Sequence, residues 1–144
     1  MSKRETPMTR WLWEQIGGTL VEEFPAVLPK GDPQLGRRLL DGLIVRGGER
    51  RIAPAHEVTL EGQDVVIVQA KAMRLGMYLM GQTLFSIELL KPFKPRSVES
   101  VALCSKDDAL LRPMLEAHAG CRVVVCPPEV VAKVVRSGRG EEED

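Results

Sequence analysis

The chain has 144 residues, 44% apolar and 28% charged, enough for one globular domain with a substantial core and too apolar for a disordered one. Its 20 Lys and Arg balance 20 Asp and Glu, so the sequence carries no global charge signature of a nucleic-acid binder. Four of the acids close the chain, however, and without Glu141 to Asp144 the count is 20 basic against 16 acidic groups, a formal +4.

In chain order, residues 8–17 read as a first helix, with Trp11, Leu12, Gln15 and Ile16 as its amphipathic surface and Gly17-Gly18 as its end. Thr19 to Val27 reads as extended, and Pro29 to Gly36 is a turn region rich in Pro, Gly and Asp. The apolar run around Asp41 reads as a strand that stops at Arg46-Gly47-Gly48. Weak alternation from Glu57 to Glu61 precedes Gly62. Val65 to Val68 is the strongest central strand, four β-branched residues in sequence that suit burial on both faces. Met73 to Leu90 reads as a helix closed by Pro92 and Pro95, despite Gly76 and Gly81. Val98 to Leu103 is a strand, Asp107 to His118 a helix capped by Asp107 or Ser105 and ended by Gly120, and Cys121 to Cys126 a strand. A last helix starts near Pro127-Pro128 and runs to about Val135.

This order predicts an α/β fold: one domain over residues 1–137 with an acidic tail over 138–144, an antiparallel pairing of the Asp41 and Val65 strands, and a mixed sheet beyond. Arg, Lys or Glu interrupts every long apolar stretch, which leaves no run of about 18 residues for a membrane span and no signal-peptide core. Cys104, Cys121 and Cys126 form an odd set without a tight metal-knuckle spacing, so they read as reduced, buried thiols of an intracellular, cytoplasmic protein. A zinc site with His56 or His118 is the lesser reading.

Chemistry concentrates at the ends of two apolar runs, Leu39-Leu40-Asp41-Gly42-Leu43-Ile44-Val45 and Asp64-Val65-Val66-Ile67-Val68-Gln69-Ala70-Lys71. Side chains on a strand repeat every two residues, so Gln69 and Lys71 share a face. A carboxylate, an amide oxygen and an ammonium on neighbouring strands suit a divalent cation beside a phosphodiester. Asp41 would bind the ion, Gln69 and the Ala70 carbonyl would add oxygens, and Lys71 would orient water or stabilise charge on phosphate. Each residue also has an ordinary reading: Asp before Gly suits a turn, and a terminal Lys blunts a strand edge. On the following helix Arg74, Tyr78 and Gln82 recur every four residues, a face suited either to the sugar–phosphate backbone or to solvent.

Taken together these features resemble the PD-(D/E)XK nuclease superfamily, in its restriction-endonuclease-like and resolvase-like branches. The acidic strand position matches Asp41 in Leu40-Asp41-Gly42, where Leu40 replaces the usual proline. The acid-x-lysine position matches Gln69-Ala70-Lys71, with Gln69 replacing the acid. The resemblance covers roughly residues 9–126 in element order and implies a mixed β-sheet flanked by helices. It also implies Mg²⁺-dependent hydrolysis of DNA, with Mn²⁺ as a substitute ion, in repair, recombination or restriction. By family position Glu14 on the first helix is an auxiliary metal ligand and Arg38 a basic residue for the nucleic acid; Glu22 or Glu23, near the start of the sheet, is the alternative acid, Glu22 first if its side chain points inward. Some members carry a Gln and a Tyr on the helix after the lysine; here Tyr78 precedes Gln82. Endonuclease and exonuclease action stay open. A homodimer would enlarge the DNA surface of so small a core, although no interface is legible. The competing expectations are a nuclease-like subunit that binds nucleic acid without cutting it, and a structural or protein-interaction α/β domain.

Overall fold

The computed structural model describes residues 5–132. Six strands form one mixed sheet, covered by helices on both faces. In chain order the elements are α1 (Thr6–Ile16), β1 (Thr19–Val27), β2 (Arg38–Val45), β3 (Arg51–Ile52), a 3₁₀ turn (Ala55–Glu57), β4 (Asp64–Arg74), α2 (Met77–Leu90), a 3₁₀ turn (Lys91–Phe93), β5 (Ser97–Lys106), α3 (Leu111–Glu116) and β6 (Cys121–Val125). A helical segment over residues 128–132 follows. The sheet order is β3-β1-β2-β4-β5-β6. β1, β2 and β4 run antiparallel in succession, whereas β4, β5 and β6 are parallel.

The alternation along β4 sorts the core. Val66, Val68 and Ala70 join Met8 and Leu12 of α1 on one face, with Leu20, Ile44, Val101 and Leu103. Val65 and Ile67 point the other way, into a cluster with Val21, Leu43 and Leu90 at the end of α2. Beyond it, Leu79 of α2 meets Leu115 of α3 over Ala102, Cys104 and Val123. Residues 65–70 of β4 are all buried, as the β-branched run requires for a strand with helices on both sides. Where α1 crosses the sheet, Gly42 makes room: a Cβ there would stand 2.7 Å from Thr9 Cγ2. Among the described residues no helix is long and apolar enough to cross a membrane.

Several expected boundaries move. Met73 and Arg74 belong to β4 rather than to a helix, because the β4–β5 ladder extends to Arg74–Lys106 and Gly76 is extended at the start of α2. The weak alternation at Glu57–Glu61 forms no strand; the small outer strand is β3, parallel to β1 through Thr19–Arg51 and Leu20–Ile52. The helix expected over Asp107–His118 shrinks to α3. Its first turn is held by Asp108, whose Oδ1 accepts hydrogen bonds from the Leu110 and Leu111 amides, not by Asp107 or Ser105. The three cysteines are free and buried, and burial raises the Cys126 thiol to about 12. The last helix beyond residue 132 and the acidic tail lie outside the described residues.

Candidate functional site

The β2–β4 ladder runs from Val45–Val65 to Gly42–Val68 and stops there, although β2 begins at Arg38 and β4 continues to Arg74. The two strands therefore part like a fork, and backbone groups that would have paired need other partners. Side chains supply them. Asp41 Oδ2 accepts the Ala70 amide at 2.8 Å, and Gln69 Oε1 accepts the Asp41 amide at 3.4 Å. Two sequence motifs separated by 28 residues thus meet through two side-chain-to-backbone bonds at the point of divergence.

A matched irregularity in β1 and β2 lies beside the fork. Val21 and Phe24 pack into the same cluster three residues apart, as do Leu40 and Leu43, where strict alternation would send them to opposite faces. Glu23, between the first pair, is left-handed at φ 51°.

The orientation of Gln69 follows from its donors and acceptors. The Ser86 hydroxyl, on α2, donates to the Gln82 carbonyl at 2.5 Å, so towards Gln69 it can only accept. The Gln69 amide nitrogen donates to Ser86 Oγ at 2.9 Å, which turns Oε1 towards Asp41. Gln69 is only 4% exposed, so this bond also satisfies a group that water cannot reach. Lys71, two residues further along the same face, lies over Tyr78 with Nζ 5.8 Å from the ring centroid. Ala70 turns its methyl into the α1-side core and its N–H to Asp41.

Burial pushes the Asp41 carboxyl above its ordinary range. The Ala70 amide and the Lys71 charge pull it down without cancelling that effect, and Glu5 pushes it further up. Glu5 is the acid that sequence reasoning missed. It precedes α1, is 9% exposed, and stands one helical turn before Thr9, the residue that packs on Gly42. Glu14 is exposed on α1. It lies two residues past the buried Leu12, about 200° around the helix, and so faces away from the sheet. Glu22 is held by Arg10 at 2.9 Å. The signal for Glu5 was the Pro at position 7: a first-turn proline puts the helix start two residues before the expected one and changes which acid faces the sheet.

A cleft of about 520 Å³ opens between the start of β2 and α2, with Arg38 at its rim and Gln69, Tyr78, Gln82 and Ser86 along its lining. Arg38 is exposed and donates to the Arg37 carbonyl, and Arg74 reaches the Asp107 carbonyl at 3.3 Å. The expected stripe of Arg74, Tyr78 and Gln82 divides: Tyr78 is 73% exposed, while Gln82 turns inward and its buried Oε1 has no hydrogen-bond partner.

The donors at the fork are all oxygens: the Asp41 carboxylate, the Gln69 amide and the Glu5 carboxylate close by. Burial raises the proton affinity of Asp41, with Glu5 a smaller contributor, and such a site fits a divalent cation that keeps several waters, as Mg²⁺ does when held by one or two carboxylates and a substrate phosphate. Among the described residues no group of three or more His, Cys, Asp or Glu side chains could hold a metal ion. No protein-family model matches the chain, and neither a curated protein nor a solved structure matches it significantly.

Proposed function

We propose that this chain is a metal-dependent phosphodiesterase acting on DNA, built on the restriction-endonuclease-like form of the mixed sheet. The observation that carries this reading is the junction at the fork, where Asp41 and the Gln69-Ala70-Lys71 segment are bonded directly to each other. The element order supports it: a helix, antiparallel strands with the acid on the second, the Gln-x-Lys on the central strand, then a helix and parallel strands.

In this reading Asp41, Gln69 Oε1 and Glu5 hold Mg²⁺ or Mn²⁺. The bound ion supplies Lewis-acid polarisation of the phosphate and lowers the pKa of an attacking water. Lys71 stabilises the charge that develops on the phosphate oxygens, with Tyr78 fixing the height of its ammonium. Arg38, at the rim of the cleft, meets the incoming sugar–phosphate backbone, and Ser86 keeps the Gln69 oxygen aimed at the fork.

A second reading, a nuclease-like fold that binds DNA without cutting it, draws on Gln69. Its amide is neutral and bonded at both ends, which weakens its attraction for a cation relative to a carboxylate.

The test is cleavage of end-labelled linear, single-stranded and branched DNA with Mg²⁺ or Mn²⁺ and an EDTA control, comparing wild type with folded Asp41→Ala and Lys71→Ala. Metal-dependent products in the wild type and their loss in both variants are the expected result. Products that persist in both variants would remove the site, and DNA binding without products would establish the second reading.

A further inference from the structure

We propose that a second copy of this chain covers the outer face of α2, in an antiparallel helix pair centred on Gly81. It does not rest on cleavage at the fork, but it shares Met77, Tyr78, Gly81 and Phe85 with the wall of the cleft that faces β2.

The polarity of α2 is unusual for a helix that lies on a sheet. Its inner face carries Leu79 and Leu90, but also buried Thr83 and Ser86. Both hydroxyls donate back to carbonyls one turn earlier, at Leu79 and Gln82, and Ser100 of β5 donates to the Thr83 carbonyl. The outer face carries Met77 at 78% exposure, Tyr78 at 73%, Leu84 at 38% and Phe85 at 66%. A helix that is apolar on both sides belongs in an interior. Only one side of α2 is buried by its own chain.

This apolar face is continuous and extends onto α3. Met77 and Gly81 line the cleft towards β2 together with Tyr78 and Phe85. The same two residues line a second groove with Leu84 and Met114 of α3. Leu110, one turn before Met114, is 71% exposed and Met114 is 56% exposed. At about 200 Å² per large side chain, these six residues leave on the order of 700 Å² of surface uncovered. That exceeds the roughly 300–600 Å² patch typical of a monomer and approaches the roughly 800 Å² each partner gives to a standard interface.

Gly81 identifies the occupant. A Cβ at Gly81 would meet nothing within 4 Å, so the fold of the single chain does not require glycine there. Glycine nevertheless costs a helix interior about 1 kcal/mol relative to alanine. Its position at the middle of the exposed stripe suits a second helix approaching closely. With a two-fold axis at Gly81, antiparallel geometry sets Met77 of one copy against Phe85 of the other and Tyr78 against Leu84. The self-complementary pairing of one stripe with itself is what a two-fold interface requires.

The experiment is sedimentation or light-scattering mass of the full chain at micromolar concentration, for wild type, Gly81→Arg and Phe85→Glu, each checked for native helicity by circular dichroism. The wild type should show twice the 16.0 kDa chain mass. Both variants should be monomers, their dissociation constants raised by about 100-fold or more because a charge is buried without a partner. Both positions are open in the single chain, so both variants should fold; should Gly81→Arg lose helicity, Phe85→Glu decides alone. A monomeric wild type, or a dimer that persists in a folded variant, would overturn the proposal.

Discussion

Two carboxylates on this sheet have opposite proton affinities, and the contrast separates a residue that closes the fold from one that the fold leaves poised. Glu99 of β5 lies between Arg46, which follows β2, and Arg122 of β6. Burial works against its charge, but the two guanidiniums overcome it and hold the carboxyl below the ordinary Glu range. At Asp41 the balance reverses: burial outweighs the Ala70 amide and Lys71, and the carboxyl rises. Glu99 ties β5 to β6 and, across β4, to the residue that follows β2, through cations of the chain itself. Asp41 is held in low dielectric by a backbone amide, next to a second acid. A buried acid whose proton affinity is raised is where added positive charge gains most.

The largest effect expected from this contrast is on catalysis. Asp41→Ala should lower metal-dependent DNA cleavage by about 10²-fold or more, and Glu99→Ala should leave it within a few-fold, since Glu99 lies outside the fork. Comparable losses in both variants would show that the two carboxylates do not divide in this way. Next in size is Ser86→Ala. It leaves the Gln69 amide nitrogen buried without an acceptor and should cost about 1–3 kcal/mol in denaturant unfolding. It should also weaken Mn²⁺ binding at the fork, because Oε1 loses the bond that aims it. Unchanged metal affinity in a destabilised protein would restrict Ser86 to packing. Gln69→Glu sharpens the same point. A carboxylate should tighten Mn²⁺ binding and, in metal-free protein at neutral pH, lower stability by burying a second charge near Asp41.

The fork was legible in the sequence because it depends on strand periodicity and on where apolar runs end. Asp41, Gln69 and Lys71 each break such a run, and period two alone puts Gln69 and Lys71 on one face. The mixed sheet was legible for the same reason: β4 could only be central, given its β-branched run. Helix phase was not legible. Family position alone points to Glu14, whereas the face of α1 that packs is Met8, Thr9 and Leu12, and the acid that acts on Asp41 from that end is Glu5. Trp13 packs at the edge of the same core, where its indole donates to the Gly18 carbonyl at 2.8 Å and Arg50 lies over its ring. At Met73–Arg74, helix propensity lost to the ladder with β5, a non-local contact that no local window contains. On α2 the expected stripe of Arg74, Tyr78 and Gln82 divides because Arg74 ends a strand and Gln82 turns inward while Tyr78 faces out.

The smallest effect is a pH dependence of opposite sign at the two acids, measured as unfolding free energy of metal-free protein. Asp41 has a raised folded-state pKa. The stability linked to it is fully present below the ordinary Asp value near 3.8 and is lost as pH rises through the raised one. Asp41→Asn removes that loss. It should be more stable than wild type at neutral pH, with the advantage shrinking as the solution is acidified towards the ordinary Asp value. Glu99 has a lowered folded-state pKa, so its contribution is present above the ordinary Glu value and lost as pH falls through the lowered one. Glu99→Gln should therefore be less stable than wild type at neutral pH and converge with it in acid. The Glu99 difference should be about 1 kcal/mol or less, since Glu99 keeps 29% side-chain exposure and water screens its ion pairs. Saturating Mn²⁺ should abolish the advantage of Asp41→Asn and leave the deficit of Glu99→Gln unchanged, because a cation at the fork offsets the burial cost of the Asp41 charge and does not reach Glu99. If Mn²⁺ shifts both variants equally, the ion binds elsewhere, and the raised proton affinity of Asp41 reflects burial alone.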